Sequence, residues 1–320
     1  MASPGISQLI TTTLQQLQDE IVDDVIANNN LLRHIKEVKV GGGRYLSHPI
    51  FYNENPSFQW YSGWETLSTQ SAEVLTSAEY AWKQASCNVQ MSGLEEIQNA
   101  GEEELINLLT AKITNMRSTF RNKLSAGLFS DGTGSGGKEI GGLQLIVADD
   151  PTTGTVGGIN AATWTFWRNV AFDAGDDGSA AATASNIGAY MDAVFTQIYS
   201  ADAGQSPDFI VADNNYFKLY KQSLQAALQV TSGAADSVGM DIRYNGIPVY
   251  LDGGKGGNCP ANHMYFVNSD HLMLQTARSR AMAAVGGERL PINQDGSITY
   301  TFWAGNLTCG SRGFQGVLKD

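Results

Sequence analysis

The sequence predicts an α+β fold, and three observations carry the prediction. Between Leu94 and Leu128 apolar residues recur at three- and four-residue steps over roughly nine turns, the pattern of one long amphipathic helix. Period-two alternation flanks it, with Ala78, Tyr80 and Trp82 sharing one face of one segment and Ile298, Tyr300 and Phe302 one face of another. The middle of the chain alternates apolar runs with amphipathic helical patterns, as mixed folds do. At 320 residues there is length for two compact domains, or for one domain with large excursions.

Taken in order, Leu14, Leu17, Ile21, Val25 and Ile26 predict a helix from Ser7 to about Asn28, ended by consecutive asparagines. A second short amphipathic stretch, Leu31 to Val40, stops at Gly41, Gly42 and Gly43, which read as a hinge. From Arg44 to Met91 the composition turns aromatic and β-branched, broken by Pro49, Pro56 and Gly63, with Phe58, Trp60, Tyr61 and Trp64 crowded near one turn. This is a two-stranded excursion. Such a ribbon is marginal alone in water, so its aromatic tip is expected to be buried, either within its own chain or against a neighbour.

Ser92-Gly-Leu-Glu95 is a capping box, and it starts the long helix. Acidic residues in the first half of that helix, and Arg117, Arg121 and Lys123 near its end, suit the macrodipole. Beyond it, Ile140 to Val147 reads as a strand, and Trp164 and Phe166 as a short strand end beside a solvated Arg168. Ile187 to Tyr199 is an amphipathic helix, Phe209 to Ala212 a buried strand, and Asp213 the start of another helix. Gly246 to Leu251 is a strand placed at an edge by Pro248. Met264 to Val267, Leu272 to Gln275 and the tail from Ile298 complete the strands.

The chemistry-bearing motifs are few. Gly132 to Lys138 spells GxxxxGK, half of a phosphate-binding signature, but that loop must follow a buried strand and open a helix. Here a helix precedes it, and Glu139 stands where Ser or Thr should hold magnesium, so nucleotide binding is not expected. Cys87, Cys259 and Cys309 form no paired framework, and His34, His48, His263 and His271 no ligand spacing, so neither metal nor cofactor is implied. Glu102, Glu103 and Glu104 point to different sides of their helix and read as a solvated face. The net charge of −12 disfavours a grip on nucleic acid. With no apolar run long enough to span a bilayer and no secretion signal, the chain reads as soluble and made in a cytoplasm.

Several segments together resemble one family. Tyr80-Ala-Trp-Lys-Gln84, Gly93-Leu-Glu-Glu, Asn99-Ala-Gly101, Leu128-Phe-Ser-Asp-Gly132, Ile140-Gly-Gly-Leu143, Gly305-Asn-Leu-Thr-Cys309 and Gln315-Gly-Val-Leu318 resemble, in order and spacing, tailed-phage major capsid proteins of the Hong Kong 97 type. The resemblance implies an N-terminal arm at 1–45, an extended β-ribbon loop at 46–90, a peripheral domain with a spine helix at 91–144 and 269–320, and an axial α/β domain at 145–268. It implies a structural protein, not an enzyme. That protein would assemble with itself, as hexamers and pentamers, into an icosahedral virion shell in the host-cell cytoplasm.

The implied partners are a portal, separate scaffolding or cement proteins, and double-stranded DNA enclosed without sequence-specific binding; no membrane is involved. A scaffolding segment before the arm has no room here. Trp60, Tyr61 and Trp64 are then the expected subunit-contact residues, and Lys83, at the ribbon base, is not placed for a covalent crosslink. The alternatives are an encapsulin-type compartment shell, a nucleotide-binding enzyme, and a secreted β-rich adhesin.

Overall fold

Two sheets and one long helix organise the computed structural model, which describes residues 30–68, 73–98, 102–200, 204–228, 242–253, 257–284 and 295–320. The helix expected at Ser7 to Asn28 lies outside the described residues, as do Asn99 to Gly101. The fold is α+β.

The capping box forms as the sequence requires. Ser92 N donates to Glu95 Oε2 at 3.1 Å, and Glu95 N donates to Ser92 Oγ at 3.2 Å, opening the short helix Gly93–Gln98. Helix Glu102–Phe129 follows with 28 residues, about 42 Å at 1.5 Å per residue. Its buried stripe is Ile113, Met116, Phe120, Leu124 and Leu128, the expected three- and four-residue steps. Its last turn holds no basic residue: Arg117, Arg121 and Lys123 sit further back, where the helix terminus acts on them weakly.

The long helix packs against strand Lys83–Ser92, which pairs antiparallel with the 14-residue strand Gly296–Cys309 from Ser92↔Gly296 to Lys83↔Gly305. Leu272–Ala277 continues this five-stranded sheet, with Lys36–Val40 parallel to it at one edge. The Leu31 to Val40 stretch therefore divides: Asn30–His34 is helical, while Lys-Glu-Val-Lys-Val alternates and joins the sheet as Lys36–Val40. Along Gly296–Cys309, Ile298, Tyr300 and Phe302 share a face as expected and are half-buried. Ser297, Thr299, Thr301 and Trp303 are the buried set, on the side shared with Val89 and Met91.

The second sheet has six strands in the order Val170–Asp173, Gly316–Lys319, His263–Val267, Phe209–Ala212, Ile247–Leu251 and Ile242–Tyr244. It is buried on both faces, which explains the unbroken apolar run at Phe209 to Ala212. Phe209, Val211, Tyr265, Val267 and Val317 meet the core that holds Phe120, Leu124 and Leu128. Ile210, Ala212, Met264, Phe266 and Leu318 meet helices Ile187–Ile198 and Asn214–Leu228. At Gly316 the first of these helices lies so close that an added Cβ would fall 2.5 Å from Ile198 Cδ1. Asp213 caps the second, its Oδ1 accepting from Tyr216 N at 2.8 Å.

Three local expectations are corrected. Ile140 to Val147 is not a strand: Leu143–Ile146 is a single helical turn, because Ile140, Leu143 and Ile146 bury one side at three-residue steps. Trp164 and Phe166 are not a strand end: Trp164 precedes and Phe166 lies within a 3₁₀ turn, Thr165–Trp167, and Arg168 is held by the Ala161 and Ala162 carbonyls at 2.9 and 3.2 Å. Pro248 lies inside the sheet, not at its edge. Its missing N–H is harmless there, because pairing with Phe209–Ala212 begins one residue later, at Val249↔Ile210.

The ribbon leaves this body as Leu46–Phe51 paired antiparallel with Leu75–Tyr80. Lys83–Ser92, the next strand, already belongs to the five-stranded sheet, and the last strand, Gly316–Lys319, belongs to the six-stranded one.

Candidate functional site

The glycine loop is no phosphate cradle. Ser135, Gly136 and Gly137 have positive φ (52°, 69° and 77°), so the backbone does curl into a concave turn. The concavity is filled by the chain itself. Glu139 accepts from Ser130 Oγ at 3.2 Å and Ser135 Oγ at 3.1 Å, and a Cβ on Gly134 would fall 2.2 Å from its carboxylate. An anion placed there would meet a negative charge. The loop instead folds back on the long helix: Gly142 N donates to Ser130 O at 2.9 Å, and a Cβ at Gly142 would strike Leu128 O at 2.4 Å.

Among the described residues no cluster of His, Cys, Asp and Glu could hold a metal ion; the side chains of the acidic triplet at 102–104 lie outside them. Burial pushes the Cys309 thiol up to about 12 and raises Cys259 as well, so both remain protonated and poor nucleophiles. His263 Nε2 meets Asp149 at 3.2 Å. Burial opposes its charge, but the carboxylate and the Ala261 carbonyl outweigh that and raise its pKa. Cys259 Sγ reaches the His263 carbonyl and not its ring, so no nucleophile is paired with the imidazole.

The ribbon tip is the conspicuous surface. Trp60 is 90% exposed, Trp64 104% and Tyr61 65%, and Phe51, Phe58, Leu67 and Leu75 are exposed with them. Of the two alternatives, burial within the same chain is thus not what the structure shows for these side chains. The backbone beneath them is fixed by short polar contacts. Asn55 Oδ1 accepts from Ser57 N at 3.0 Å, Glu65 Oε2 accepts from Ser62 N at 3.2 Å, and Gly63 takes a φ of 60°. Phe58 and Trp60 meet edge to face, 5.4 Å between centroids. A locally ordered turn therefore presents several rings to solvent, an arrangement that marks binding surfaces.

The ribbon's base is tied down in contrast. Leu46, Ile50, Ala78 and Tyr80 are buried on its inner face. Tyr80 Oη donates to the Cys309 carbonyl at 3.0 Å, His48 Nε2 lies 2.9 Å from both Thr308 Oγ1 and Gln275 Nε2, and Trp82 Nε1 donates to the Gly43 carbonyl at 2.9 Å. Asn306 braces the region, donating to Ala81 O and accepting from Gly141 N. Sequence reasoning singled out the segments Tyr80 to Gln84, Ile140 to Leu143 and Gly305 to Cys309 that supply most of these partners, but it foresaw none of the contacts between them.

No protein-family model matches the chain, and no curated protein matches it. Solved structures do. The capsid of cyanophage A-1(L) superposes with a TM-score of 0.65 at 14% identity, covering 91% of this chain and 92% of that one. The capsid of Myoviridae phage XM1 does so at 0.56 and 12%, covering 91% and 90%. The chain has the Hong Kong 97-type capsid fold. The same capsid fold relates it to the SrpI encapsulin of Synechococcus elongatus, at a TM-score of 0.53 and 11% identity over 90% of this chain and 86% of that one. Within the fold, strand Gly296–Cys309 of the five-stranded sheet meets the ribbon's base, and the exposed rings stand at its far end.

Proposed function

We propose that this chain is the major capsid protein of a tailed double-stranded DNA phage, assembling in many copies into a closed icosahedral shell. The observation that carries the proposal is a likeness over about nine-tenths of both chains to a cyanophage capsid, together with a ribbon tip whose aromatic rings its own body leaves bare. The protein works by geometry and performs no reaction. In this reading residues 1–45 serve as the arm, 46–90 as the extended loop, 91–144 and 269–320 as the peripheral domain, and 145–268 as the axial domain around five- and sixfold axes, with two strands crossing these bounds: Lys83–Ser92 pairs within the five-stranded sheet and Gly316–Lys319 within the six-stranded one. Trp60, Tyr61 and Trp64 make the subunit contact.

Magnitudes favour repeated contacts over a tight dimer. Burying two indoles removes roughly 400 Å² from water, worth about 10 kcal/mol gross. That is comparable with the roughly 4–15 kcal/mol that association costs in lost freedom. One such contact holds a pair loosely, and a lattice in which every copy gives and receives one closes cooperatively. The net charge of −12 suits a shell that encloses DNA without gripping it. A portal and separate scaffolding or cement proteins complete the particle.

The second reading is an encapsulin-type compartment, favoured by the likeness to SrpI encapsulin. Particles that contain protein cargo and no DNA would select it. For either shell, Trp60→Ser combined with Trp64→Ser should abolish particles while leaving soluble, folded subunits, because the exposed rings contribute little to the single chain. Normal particle yield from this variant, measured by velocity sedimentation, would refute the contact.

A further inference from the structure

Beside the ribbon stem lies a cavity of about 460 Å³ to which the shell reading gives no role. Three rings wall it. Tyr52 continues the inner face of Leu46, His48 and Ile50 one step past the buried base, by the two-residue period of a strand. Trp164 and Phe166 come from the 3₁₀ turn and the residue before it. The ring centroids are 5.5 Å apart for Tyr52 and Trp164, 5.7 Å for Tyr52 and Phe166, and 6.0 Å for Trp164 and Phe166. The Tyr52 and Trp164 planes stand at 76°, so the three rings make a corner and not a stack. Glu73 and Glu79 are exposed on the same lining, which includes no lysine or arginine.

The corner is preformed by the fold. Hairpin strands Thr155–Val156 and Ile159–Asn160 press on the ribbon at Gly157, whose carbonyl accepts from Glu79 N at 2.8 Å. Gly157 has a φ of 59°, and a Cβ there would fall 3.0 Å from Ala78 Cβ, so only glycine allows this approach. Trp164 N donates to Asn160 O and the buried Trp167 indole to Val156 O, both at 2.9 Å, which fixes the aromatic turn to the hairpin. Among the described residues no lysine or arginine stands over any of the three rings, and neither glutamate has an ion-pair partner.

Ring faces carry partial negative charge and attract cations, and alkylated ammonium groups are the ligands such aromatic corners recognise. The two carboxylates add to that attraction and repel any anion. The volume is that of a small-molecule site, for which about 300–1,000 Å³ is usual. We propose that this cavity binds a small organic cation with an alkylated ammonium head, its methyl groups against Tyr52, Trp164 and Phe166 and its charge facing Glu73 and Glu79. The site is complete within one chain and does not depend on the shell reading.

Choline and the neutral alcohol with carbon in place of its nitrogen differ in charge and hardly in shape. Titrating each into the purified protein, followed through the NMR signal of its methyl protons, separates cation recognition from apolar filling. Choline should bind at least about tenfold more tightly than the alcohol. Trp164 is 45% exposed, so Trp164→Ala should keep the melting temperature while weakening choline at least about fivefold. Glu73→Gln with Glu79→Gln should weaken choline and leave the alcohol unchanged. No saturable choline binding, equal affinity for the two probes, or choline binding unaltered in either variant would overturn the site. Particle formation is read separately, so loss of the cation site leaves the shell reading intact, and absence of shells leaves the cation site intact.

Discussion

Arg312 shows what single residues do here. Its guanidinium is fully buried and, among the described residues, pairs with no carboxylate: Nε donates to Ile146 O at 2.6 Å, one terminal nitrogen to Trp167 O at 3.2 Å, and the other to Asn169 Oδ1 at 2.9 Å. Burial lowers its pKa, and the carbonyls keep the charge tolerable by replacing water. Gln315 acts in the same segment, its amide closing both the N–H and the C=O of Asn268. Arg312→Ala removes the donor from the Ile146 and Trp167 carbonyls and leaves a cavity, while Asn169 Oδ1 keeps the Ala148 N–H, and it should cost at least about 3 kcal/mol of unfolding free energy in a denaturant titration. A loss below about 1 kcal/mol would show the buried charge to be dispensable. None of this was legible in the sequence, because Arg312 finds its partners 143 to 166 residues away and nothing local announces them.

At the scale of elements, legibility follows distance along the chain. The capping box was readable because Ser92 and Glu95 satisfy one another within one turn, and the long helix because its stripe repeats many times. The exposed tip was half readable: crowded aromatics at 58–64 signal burial somewhere, but their sequence does not say in which molecule. The misread elements are those whose state depends on neighbours. Pro248 is interior because of where pairing starts on the adjacent strand, and Lys36–Val40 is a strand because Leu272–Ala277 offers it an edge.

The ribbon's base adds a pH dependence at this scale. Burial holds His48 below its ordinary pKa of about 6.5, so the docked ribbon keeps it neutral beside Gln275, Thr308 and the Tyr80 ring. As pH falls through 6.5 a detached ribbon takes up the proton first, so the docked state loses stability on the acid side and keeps it above. Amides of Leu46–Phe51, corrected for intrinsic rate, should exchange faster at pH 5 than at pH 7.5, and His48→Gln should shrink the difference. Equal protection at both pH values would contradict this anchoring.

Among the described residues two core clusters form within the single chain, and most of the exposed large apolar side chains sit on one projection. A folded body with a bare aromatic ribbon suits an assembly unit better than a catalyst, and the likeness to phage capsids across about nine-tenths of the chain gives that unit its architecture. The encapsulin shares the same fold, so the proposed shell is common to both readings and only its proposed contents differ. The most direct measurement is electron microscopy of the purified, concentrated protein, alone and with the scaffolding protein that the proposal implies. Uniform closed shells, with the ribbon tips covered by adjacent subunits, are the predicted result. Monomers or small open oligomers with Trp60 and Trp64 still in solvent would contradict the account.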